Sequence, residues 1–160
     1  MPVMRVFEVE CDPRGQGRPR ARVLRCSAGG KMVSMAQLYK AKEDVAYEKK
    51  IRDGYLKTYR ICKPLTGAIV VNIIAFFGIP MSTTKKFKES AMAGKEFFVK
   101  KPDADNVAKA VLDALNKVAW EDDSQVVKIT CQKEYVAKNM NPKLVVMIRE
   151  ADIVGDFGES

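Results

Sequence analysis

The stretch that most constrains the fold is Ala68-Ile69-Val70-Val71-Asn72-Ile73-Ile74-Ala75-Phe76-Phe77. It is short, almost continuously apolar, and rich in β-branched and aromatic side chains. Gly67 opens it and Pro80 ends it. Such a run predicts a central strand buried on both faces. It is too short, and too interrupted by Asn72, to cross a bilayer. A buried strand needs partners beside it and helices over it, and the rest of the chain supplies both. Residues 3–9 alternate as a first strand. Residues 23–26 and 31–34 flank Ser27-Ala28-Gly29-Gly30 and predict a hairpin. Residues 126–136 alternate again, with Val127, Ile129, Cys131 and Tyr135 on one face, and residues 144–148 form a last strand after Pro142.

Two segments carry helical periodicity. Residues 36–59 contain no proline and place Leu38, Ala41, Val45, Arg52, Leu56 and Tyr59 on one stripe, whose polar middle leaves its register open. Residues 106–116 place Val107, Val111, Ala114 and Leu115 on one side, with Val118 beyond them. Asp105, Lys109, Asp113 and Asn116 take the other side. Residues 83–101 read as a basic segment and residues 152–160 as a frayed tail. The expected architecture is α+β: one domain over residues 1–150, a mixed β-sheet with two main helices packed on it, and a flexible tail over 151–160.

Charge and composition narrow the function. The chain has 28 Lys+Arg against 20 Asp+Glu, a net charge of +8, and no histidine. Without histidine, Ser-His-Asp and Cys-His catalysis and the commonest zinc sites are excluded. Cys11, Cys26, Cys62 and Cys131 are widely spaced and form no C-x-x-C, so neither a zinc ribbon nor a thioredoxin-like motif is present. The N-terminal residues alternate rather than forming the apolar core of a signal peptide. The expectation is a cytoplasmic protein, not membrane-bound, whose positive charge selects a polyanionic partner.

Against that basic background, acids concentrate in one place. Lys101-Pro102-Asp103-Ala104-Asp105-Asn106 leads into Lys109, Asp113 and Asn116, and Trp120-Glu121-Asp122-Asp123-Ser124-Gln125 follows. If the next strand lies beside the chain entering the helix, both acidic pairs meet at one end. Clustered carboxylates repel unless a cation neutralises them, and carboxylates without His or Cys favour a hard ion, Mg²⁺ or Mn²⁺. Lys109 lies one turn after Asp105 and can face a phosphate held there. A purely structural account competes with this one. Asp105 suits a helix N-cap, Asp122-Asp123 a solvated turn, and Asp105, Lys109 and Asp113 an i,i+4 ladder.

The block from Lys101 to Gln125, with Ala114-Leu115-Asn116 inside it, closely resembles the RusA-type Holliday junction resolvases. Gly17-Arg18-Pro19-Arg20 and Tyr47-Glu48 resemble the N-terminal half of phage and prophage members, so the likeness covers roughly residues 5 to 150. The resemblance implies a homodimeric, Mg²⁺-dependent endonuclease that resolves four-way DNA junctions by paired, symmetric nicks, and the carboxylate-only donor set leaves Mn²⁺ as a substitute ion. Asp103, Asp105 and Asp123 match the family's metal-binding acids, Asp122 is expected to share the metal, and Lys109 matches the essential lysine. Lys133 matches a basic position on the following strand, where a site role and a snorkelling edge residue are both open. Arg18, Arg20, Arg22, Lys85, Lys86 and Lys88 are candidates for the DNA backbone. Many relatives have glycine where this chain has Lys117, so Asn116 is expected to take the left-handed helix cap instead. The rival readings are a non-catalytic basic DNA-binding protein and a metal-dependent nuclease acting on flaps or other branched DNA.

Overall fold

The computed structural model describes residues 2–158. The chain runs β1 (Met4–Glu10), β2 (Arg20–Ala28), β3 (Lys31–Tyr39), α1 (Lys42–Tyr59), β4 (Ile69–Phe77), α2 (Lys85–Met92), α3 (Ala104–Leu115), β5 (Val126–Tyr135), β6 (Lys143–Glu150) and α4 (Ile153–Phe157). The apolar run becomes β4, interior to a sheet of order β1-β6-β4-β5. β4 pairs antiparallel with β6 and parallel with β5, and β1 closes the far edge antiparallel to β6. This is a single α+β domain with a mixed sheet.

Both main helices lie on the same sheet face. Val71, Ile73 and Ala75 of β4 meet Tyr47, Ile51 and Tyr55 of α1 and Val107, Val111 and Ala114 of α3 in one core. Only that face is fully covered. On the other, Val70 is buried but Asn72, Ile74 and Phe76 are half-buried, so the expected burial of β4 on both faces is corrected: among the described residues, no helix layer spans the whole second side.

The first helix also differs from expectation. Residues 36–39 belong to β3, because Ala36 and Leu38 pair across the hairpin with Val23 and Ala21, and α1 begins only at Lys42. Its buried face is Asp44, Tyr47, Glu48, Ile51 and Tyr55, while Val45 is exposed. An apolar stripe cannot locate this face, because part of it is acidic. Asp44 is met by Arg14 at 3.5 Å and Glu48 by Lys40 at 2.6 Å, which offsets the cost of burying their carboxylates.

At the C-terminus, the tail expected to fray carries α4 instead. The Asp156 carboxylate pairs with the Arg149 guanidinium, and Lys128 donates to the Asp156 carbonyl oxygen at 3.2 Å. Met1, Glu159 and Ser160 lie outside the described residues. Among the described residues, no helix is long and apolar enough to cross a membrane.

Candidate active site

α3 positions the first acidic pair. Its apolar side, Val107, Val111, Ala114 and Leu115, is buried in the core, which turns Asp105 and Lys109 outward. Asp103 is the N-cap residue, yet its side chain makes no capping hydrogen bond. Both of its oxygens accept instead from the Lys101 ammonium, at 2.9 and 2.7 Å. That hydrogen-bonded ammonium, with the charge of Lys133 behind it, holds the Asp103 carboxyl below the usual carboxylate range. The carboxylate is thus ionised and already faces a cation. Lys109 is exposed and, among the described residues, has no carboxylate within salt-bridge distance, so the i,i+4 ladder is not formed.

Lys133 lies against the segment that carries the first acidic pair. Its ammonium donates to the carbonyl oxygens of Lys100 at 2.9 Å and Pro102 at 3.0 Å, and lies 5.3 Å from the centre of the Phe98 ring. It therefore fixes the backbone that delivers Asp103 and Asp105 to the helix.

The second acidic pair sits in a tightly specified turn. The Trp120 indole, fully buried, donates from Nε1 to Asp123 Oδ1 at 2.8 Å. Asp122 caps a single 3₁₀ turn, accepting from the Ser124 amide at 3.0 Å, and these Ser124 bonds lower its carboxyl pKa. The Gln125 side chain accepts from the amides of Glu121 and Asp122 and donates to the carbonyls of Leu65 and Gly67. In the sequence Trp120 and Gln125 are only members of a motif, and their spacing from the acids is the available signal. In the fold they hold the turn and orient Asp123, while Asp122 is engaged in the cap.

The two pairs do not meet within one copy of the chain. Lys133, near the end of β5, touches the segment entering α3, whereas Trp120, just before β5, is bridged to Asn116 at the exit of α3. β5 thus runs back along α3. Asp103 and Asp105 stand at the start of the helix, and Asp122 and Asp123 follow its other end; the twelve helical residues span about 18 Å. Among the described residues, no three acidic or cysteine side chains converge to hold one ion. The expected convergence is corrected: the chain entering α3 lies beside the far end of the strand.

The basic candidates fall in three places. Arg18 lies in the loop before β2, and Arg20 and Arg22 lie on β2; all three are exposed. That loop rests on α3: the Gln16 amide donates to the Asn106 carbonyl at 3.0 Å. A side chain at Gly15 would approach Pro102 to 2.9 Å, so the close approach requires glycine. Lys85 and Lys86 are exposed in the first turn of α2, which Phe87 packs edge-on against Tyr135 near the end of β5. Lys88 reaches back to the Met81 carbonyl at 2.9 Å.

Lys117 takes the left-handed conformation itself, at φ 65°, while Asn116 stays at φ −56°. The backbone keeps the shape that glycine serves in the resembling family, and the expectation for Asn116 is corrected.

A family model described as "Endodeoxyribonuclease RusA" matches residues 10–149. The chain is also 36% identical over 146 residues to "Uncharacterized protein YqaN" of Bacillus subtilis (strain 168), covering 90% of this chain and 94% of that relative.

Proposed function

The chain belongs to the RusA endodeoxyribonuclease family, and from that membership we propose that it resolves four-way DNA junctions by paired, symmetric nicks, as a Mg²⁺-dependent homodimer. The observation that carries the dimer is the separation of the acids along α3. Ligands of one Mg²⁺ lie about 2 Å from it, so carboxylates toward opposite ends of a helix about 18 Å long cannot share an ion. A two-fold axis near the middles of α3 and β5 turns this separation into two sites, each joining Asp103 and Asp105 of one protomer to Asp123 of the partner subunit. β5 supports that arrangement. It is an edge strand, and its Val127 and Ile129 are 48% and 39% exposed, apolar surface of the kind that edges bury against a neighbour.

The donor set fits a hard divalent ion, with carboxylates only and a lysine ammonium already drawn to Asp103. When bound, Mg²⁺ lowers the pKa of a water and offsets charge on the scissile phosphate, and Mn²⁺ is expected to substitute. Asp103 and Asp105 hold the ion where the helix dipole also attracts the phosphate. Lys109, one turn along, neutralises a phosphate oxygen as charge develops there. Asp123, aimed by Trp120, completes the set across the interface. Without histidine, a carboxylate or solvent takes the proton.

The test is a synthetic four-way junction incubated with Mg²⁺, Mn²⁺ or EDTA. Symmetric paired nicks are expected with either metal and none with EDTA. Binding without paired nicks under Mg²⁺ would overturn the resolvase reading, and faster cutting of flaps than of junctions would favour a nuclease for other branched DNA.

A further inference from the structure

The β2–β3 hairpin is an arm whose surface the proposed chemistry leaves unused. Among the described residues, each strand's only ladder partner is the other, and every residue of both nine-residue strands is exposed. The turn is well made, with Gly29 and Gly30 at φ 57° and 77°, the conformation of a tight two-residue hairpin. The arm extends about 30 Å at the usual rise per strand residue. A lone two-stranded hairpin is marginal in water, and this one exposes Val23, Met32 and Leu38 at 67%, 71% and 71%. Exposed apolar surface of this kind marks an interaction site.

Charge identifies the occupant. From residue 13 to residue 42 the sequence contains eight Lys or Arg and no Asp or Glu, so this segment alone equals the net charge of the whole chain, +8. Within the arm, Arg20, Arg22, Arg25 and Lys31 have no acidic neighbour on either strand. Two such arms repel each other, whereas a polyanion neutralises both. The arm is also aimed. Lys40, next after β3, bonds Glu48 of α1 at 2.6 Å and Asp113 of α3 at 3.0 Å, tying its base to the helix that carries Asp105 and Lys109.

We propose that the β2–β3 hairpin is a DNA-gripping ribbon that lies in a groove of a duplex arm. Its arginines and Lys31 pair with phosphates, and its apolar side chains pack on sugars and base edges. A two-stranded ribbon fits the major groove, and apolar side chains are used in this way on DNA. The inference rests on the nuclease reading for its choice of DNA, and it adds Arg25, Lys31 and the apolar positions to the binding surface.

The test measures the affinity of the full chain for a labelled four-way junction and a linear duplex, in EDTA, across a salt series. Two variants are compared with the wild type: Arg25→Ala/Lys31→Ala, and a shortened arm in which residues 23–36 give way to an Asn-Gly turn. The tip variant should bind about tenfold more weakly, with the slope of log affinity against log salt reduced by about 0.9 for each phosphate no longer neutralised. The shortened arm should bind more weakly still. Unchanged affinity and slope in the tip variant would overturn the proposal even if the shortened chain misfolds, because exposed side chains leave the fold alone. Conversion of a wild-type dimer to monomer by either variant, with affinity per protomer unchanged, would assign the arm to a second copy. A wild type that binds no DNA refutes both readings; one that binds without cutting under Mg²⁺ refutes only the resolvase reading.

Discussion

Asp103→Asn and Asp123→Asn, each inactive as a homodimer, should restore cleavage when mixed and allowed to exchange subunits. The expectation follows from α3, whose twelve residues, about 18 Å of helix, put the two carboxylates toward its opposite ends in one chain. If each site joins acids from both protomers, a mixed dimer contains one site with both acids replaced and one with both intact. Equal mixing makes about half of the dimers mixed, so about a quarter of wild-type sites return, given two-fold symmetry. Neither substitution should unfold the chain. Asp103 makes no capping bond and gives up only an exposed ion pair, and an asparagine at 123 retains an oxygen to accept from Trp120. The assay follows nicking of a strand-labelled junction over time, with subunit exchange verified by differently tagged chains. Initial nicking should recover to about a quarter of wild type, while paired resolution stays near background because each mixed dimer cuts one strand. If verified mixed dimers cut no faster than the parent variants, the shared site is wrong.

Lys133→Met should leave the carbonyls of Lys100 and Pro102 without their donor, costing about 1 kcal/mol. It should slow cleavage while junction affinity and its salt slope change little; a lower slope would make Lys133 a phosphate ligand after all. Lys117→Gly should stabilise the fold by about 1 kcal/mol in chemical denaturation, because glycine adopts positive φ without a Cβ penalty; no gain would mean that the Lys117 backbone is unstrained. Docking of α4 should depend on acid. The hydrogen-bonded Arg149 guanidinium lowers the Asp156 pKa to about 2, below its unfolded value, so the stabilisation is complete above the usual carboxylate range and lost as pH falls through about 2. NMR-detected amide protection of residues 154–157 should hold at neutral pH and fade in that acid window; protection that persists below it would refute the pairing.

Much of the fold is legible in the sequence because side-chain periodicity is a local property. The apolar run predicts an interior strand, alternation predicts β1 and β5, and the α3 stripe matches its buried face. The acidic block is legible as a family motif, since Asp103, Asp105, Lys109 and Asp123 match positions of the resembling family, whereas their spacing alone also suits a cap and a solvated turn. Local pattern fails where a residue's environment comes from distant segments. The buried face of α1 is acidic at Asp44 and Glu48 because Arg14 and Lys40 arrive from elsewhere. Lys133 is a backbone brace because two carbonyls from residues 100 and 102 lie beneath it.

The sequence by itself determined which chemical groups are at hand: carboxylates and lysines gathered between residues 101 and 125, no histidine, and an excess charge that lies in one segment. Only the tertiary structure decided where those groups stand. Spacing along a chain says that two acidic pairs flank a helix, but not in which direction the next strand returns. Here β5 runs back along α3, so its far end and not its start lies beside the chain entering the helix, and the two acidic pairs stand toward opposite ends of a helix about 18 Å long.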